Sequence, residues 1–176
     1  FGKTTLFQPA QFREFAETFR ATVRLRLEAL STRLSGREES VRISLEPEIK
    51  AVMLEMLVRN FFGAEVSYDR IRNVYTPAME RVIDRMVSDT VIKLGIPYRK
   101  LPPLTRSIRQ AREDYAQFEE ITDLALASRT EGRGLWKQFK SDAPNAALRS
   151  NIRLMLAGAL GLAGTAGAAA EAPPPL

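Results

Sequence analysis

The stretch SNIRLMLAGALGLAGTAG, residues 150 to 167, sets Ala157 and Gly158 side by side among bulky apolar residues. Glycine inside a helix costs about 1 kcal/mol relative to alanine, so a pair this small is expected where something comes close to the backbone. Two occupants fit that description: a crossing helix, or a flat ligand that needs a groove. Chemistry beyond a groove needs groups that ligate metals or shuttle protons, and here the residue inventory is restrictive. The chain has no cysteine and no histidine. That excludes disulfides, thiolate nucleophiles, Ser-His and Cys-His relays and the usual zinc, copper and iron ligand sets. No catalytic residue and no metal ligand is assigned from the residues present.

The elements that would position this pair all read as helices. From Pro9 to Gly36, apolar residues at Phe12, Phe15, Ala16, Phe19, Val23, Leu27, Leu30 and Leu34 keep the three-and-four spacing of one helical face. Val41, Ile43 and Leu45 alternate, which predicts a short edge strand or an extended connection. EPEIKAVMLEMLVRNFFG is apolar on nearly every side and stops at Gly63, so it belongs in the middle of the fold. From Tyr68 to Leu94 a further helix is predicted, with Pro77 marking a start or a kink. The proline-rich IPYRKLPP connects it to a helix over 104–128, whose charged residues lie outside and whose Ile108, Ala111, Tyr115, Phe118, Ile121, Leu124 and Ala125 point inward. RTEGRG breaks that helix, LWKQF adds a short amphipathic piece, and the last helix opens near Ala146 with Leu148, Ile152 and Met155 inside and Arg149 and Arg153 outside. The class is therefore all-α, with about five long helices in one domain.

Composition agrees with that. With 176 residues, 45% hydrophobic and 27% charged, the chain can bury a core of its own. Its net charge of +5 is spread through acid-rich helices such as REFAETFRATVRLRLEAL, the pattern of a solvated face. There is no basic stripe interleaved with aromatics, so nucleic acid is not an expected partner. The uncharged run from Leu154 to Ala170 has 17 residues, many of them Gly or Ala, and no membrane span is expected from it.

The order of the helices together with SNIRLMLAGAL resembles the haem-thiolate monooxygenases, the cytochrome P-450 family. SNIRLMLAGAL is similar to the first half of that family's long distal helix, where an Ala-Gly pair opens a groove over haem. FREFAETFRATVRLRLEALSTRL, EIKAVMLEMLVRNFFG and the paired helices around IPYRKLPPLTRSIRQAREDYAQFEEITDLALASRTEG resemble an earlier helix, the buried core helix and the substrate-roof helices. The resemblance reaches to about Leu160. It implies a partial cytochrome P-450-like fold over 1–160, truncated at both ends, followed by an atypical Gly/Ala/Pro-rich tail over 161–176.

By that resemblance the parent would be a cytoplasmic enzyme that binds haem, takes electrons from a redox partner and inserts one oxygen atom of O2 into an apolar substrate. Ala157 and Gly158 would line its oxygen and substrate groove. This chain departs from the family pattern at the points that matter most for turnover. The acid and threonine expected shortly after the Ala-Gly pair are replaced by Leu160, Gly161 and Leu162, and Thr165 stands a turn too far on. Glu17 and Arg20 have the family's E-x-x-R spacing on the wrong helix and read as a surface pair. The cysteine loop is absent. These residues alone are therefore expected neither to hold haem stably nor to turn over, and the tail is expected to mark a change of reading frame or gene fragment after about Leu160. The alternative class is a non-enzymatic helical module that binds a partner helix through exposed apolar surface.

Overall fold

The computed structural model describes residues 9–35, 44–91, 102, 105–131, 134, 136 and 145–171. The fold is all-α: among the described residues every regular element is helical and they form five continuous helices. Helix α1 spans Pro9–Ser35. Helix α2 spans Glu46–Glu55 and runs on as a π-helical stretch, Met56–Phe61. Helix α3, Tyr68–Arg70, passes through a second π-helical stretch, Ile71–Tyr75, into α4, Thr76–Val91; α5 is Arg106–Thr130 and α6 is Asn145–Glu171.

Local chemistry sets these limits. Pro47 sits in the first turn of α2 beside Glu46 and Glu48, whose charges favour the positive end of the helix. The helix closes where Gly63 takes a φ of 77°, letting the Ala64 N–H reach the Val58 carbonyl at 2.9 Å. Ser67 caps α3 by accepting from the Arg70 N–H at 3.3 Å.

Pro77 is the second residue of α4, as its expected role at a helix start requires, although the helix is continuous with the π-helical stretch before it. The turn before it is wide: the Thr76 N–H bonds to the Ile71 carbonyl five residues back, and the Thr76 hydroxyl donates to the same oxygen at 2.8 Å. That extra residue accommodates a ring that would otherwise press on the preceding turn. The spacing from Tyr68 onward predicts one inner side that includes Ile71, Val74, Tyr75, Ala78, Met79, Val82 and Met86; five of these are buried, while Val74 and Met86 are exposed.

The helix predicted to be central is central. Ala51, Leu54, Met56, Val58 and Phe62 are all at most 1% exposed, and α2 is flanked by α6 along one side and by α4 and α1 on others. The two α4 and α5 helices pack on each other. The end of α5 and the chain beyond it meet the end of the α2 segment: the Ser128 hydroxyl, in the last turn of α5, donates to the Phe62 carbonyl at 2.6 Å, and Trp136 stands edge-on to Phe62 at 5.0 Å.

On α1 the expected stripe is only partly covered. Phe15 packs against the core, but Phe12 is 65% and Leu27 58% exposed, because α1 rests mainly on α2 and its π-helical continuation. Of the alternating segment 41–45, Ser44 and Leu45 are not in a strand, and Val41 and Ile43 lie outside the described residues, as does most of IPYRKLPP. Helix α6 continues past Leu160 to Glu171. Among the described residues no helix is long and apolar enough to cross a membrane.

Candidate functional site

The residues Leu148, Ile152, Leu156 and Leu160, four apart, fix α6 to the core through one face. This puts Ala157 at a half-buried position and Gly158 on the exposed side. A Cβ placed on Gly158 would meet nothing within 4 Å, and the same holds for Gly161. Among the described residues no helix crosses there. The small pair is therefore not explained by packing among the described residues, and the surface it forms is open.

One turn further along, Leu160 and Gly161 border a hollow of about 480 Å³ with Lys50, Pro77, Glu80 and Arg81. Its chemistry is ionic. Lys50 donates to Glu46 and to Glu80, each at 2.5 Å, and burial, which opposes its charge, is outweighed by those two carboxylates, so its pKa is raised. A lysine held this firmly as a cation is neither a base nor a nucleophile.

The buried carboxylates are also structural. Asp114, on the inward face of α5, is 1% exposed; it accepts from Arg81 at 2.8 Å, Arg85 at 2.6 Å and Gln110 at 3.1 Å. Burial pushes its pKa up, but these hydrogen bonds win and hold it below the usual carboxylate range. Glu119 is held the same way between Arg149 at 3.0 Å and Arg153, pinning α6 to α5. Glu55, 2% exposed, receives Arg26 and Arg59 and joins α1 to α2. Sequence reading placed the charges of 104–128 outside and so missed Asp114. The signal was present: it falls three residues after Ala111 and four before Phe118, on the apolar face.

Glu17 and Arg20 are both exposed on α1 and make no ion pair with each other. Among the described residues no three Asp, Glu, Cys or His side chains converge as a metal site. Tested against a haem, the donor set does not fit: with no thiolate and no imidazole in the chain there is no axial ligand of the usual kind, and Ala157 with Gly158 offers at most one wall. No family model, curated protein or solved structure matches the chain.

Proposed function

We propose that residues 1–160 are an internal helical part of a haem-dependent monooxygenase of the cytochrome P-450 kind, and that by themselves they carry no reaction. One observation supports this reading above the others: the Gly158 surface is empty, while the opposite face of the same helix is tightly packed. Glycine costs helix stability of about 1 kcal/mol relative to alanine, and here no neighbour among the described residues requires it. A groove whose covering partner lies outside these residues accounts for that cost, whereas a close helix crossing does not.

The buried position of α2, with α6 alongside and α4 and α5 paired nearby, is consistent with the helix order on which the resemblance rests. In this reading the parent is cytoplasmic, receives electrons from a redox partner and takes an apolar substrate. The haem ligand and the proton-delivering acid and alcohol belong to parts of the parent not represented among these residues.

The coding DNA on either side provides the test. Translation in all frames is expected to yield an acid-threonine continuation after Leu160 and a later cysteine loop; the absence of both in every frame overturns the proposal. For the chain alone, mixing with haem, reducing and adding carbon monoxide is expected to give no thiolate-type absorption band.

A further inference from the structure

We draw no further inference here: the strongest candidate, the apolar groove between α1 and α2 bordered by Phe19, Val23, Leu30, Ile49 and Val52, has Arg26 and Glu48 as its charged lining residues and both are already ion-paired, so nothing in the structure shows what covers it.

Discussion

At Gly134 a Cβ would stand 2.4 Å from the Phe61 carbonyl oxygen and 2.6 Å from the Gly63 nitrogen, whereas at Gly158 it would meet nothing within 4 Å. Gly134 also has a φ of 67°, which L side chains rarely adopt, and Gly158 sits in ordinary helix. The first glycine lets two stretches of backbone touch and seals the end of α2. The second leaves open a surface that nothing among the described residues covers. One residue type thus reports internal closure in one region and an external requirement in the other, and only the surroundings tell the two apart.

The contrast is sharpest in stability. Gly134→Ala is expected to cost about 3–5 kcal/mol, from the left-handed backbone and from displacement of the α2 terminus, since backbone atoms cannot swing aside as a side chain can. Urea unfolding of the variant checks this. A loss under about 1 kcal/mol would mean that the segment carrying Gly134 yields, and the closed region would be no more rigid than the open one.

That difference was only partly legible beforehand. Helical periodicity located the long helices because an apolar face repeats every three or four residues whatever it packs against, and it put α2 at the centre because that segment is apolar on all sides. Periodicity cannot report a contact between distant stretches. RTEGRG read as a break, with no sign that Gly134 must meet Phe61, more than seventy residues earlier. Asp114's place on the apolar face was legible, but its arginine partners Arg81 and Arg85, on another helix, were not. Val74, within the π-helical stretch before Pro77, lies exposed although Ile71 and Tyr75 on either side of it are buried, a local change of winding that spacing does not announce. The pair at 157–158 was visible as an anomaly, but whether it was crossed or left open depended on the direction α6 faces.

A second measurement extends the comparison through the closed region. Asp114→Ala is expected to cost about 2–3 kcal/mol, because it leaves Arg81 and Arg85, neighbours one turn apart on α4, without their shared acceptor on α5. The figure sits below the usual range for a buried pair because Arg81 is 44% exposed, so water recovers part of the loss. Asp114→Asn should recover some of it by accepting one hydrogen bond. If both variants match the parent, the clamp contributes nothing and the closed region is held by apolar packing alone.

Acid should loosen the molecule from the α1 and α2 side. Hydrogen bonds from Arg72, against the opposing effect of burial, hold the Glu48 carboxyl at about 2 instead of 4.5. A depressed folded-state pKa stabilises the fold above the unfolded value. As pH falls from about 4.5 towards 2 the unfolded chain takes up a proton that the folded chain resists, and that stability is lost. After allowance for screening, the contribution is about 1–2 kcal/mol. Denaturant unfolding at pH 6 and pH 3 should show the decline, and Glu48→Gln should flatten it. Asp114 and Glu119, also held below their usual values, add to the residual slope.

The smallest effect returns to the open glycine. Gly158→Ala is expected to raise stability by about 0.5–1 kcal/mol, since the methyl group has free space and alanine loses less backbone freedom on joining a helix. The sign matters more than the size. A gain means that the folded chain bears glycine there at a net cost, which a groove serving something outside these residues explains. A loss means that some part of the molecule comes within reach of that backbone in solution, and the small pair would then be a packing feature like Gly134. Gly158→Leu separates the two cases further: on an open surface a larger side chain is still tolerated, whereas beneath a close neighbour it would cost more than alanine does.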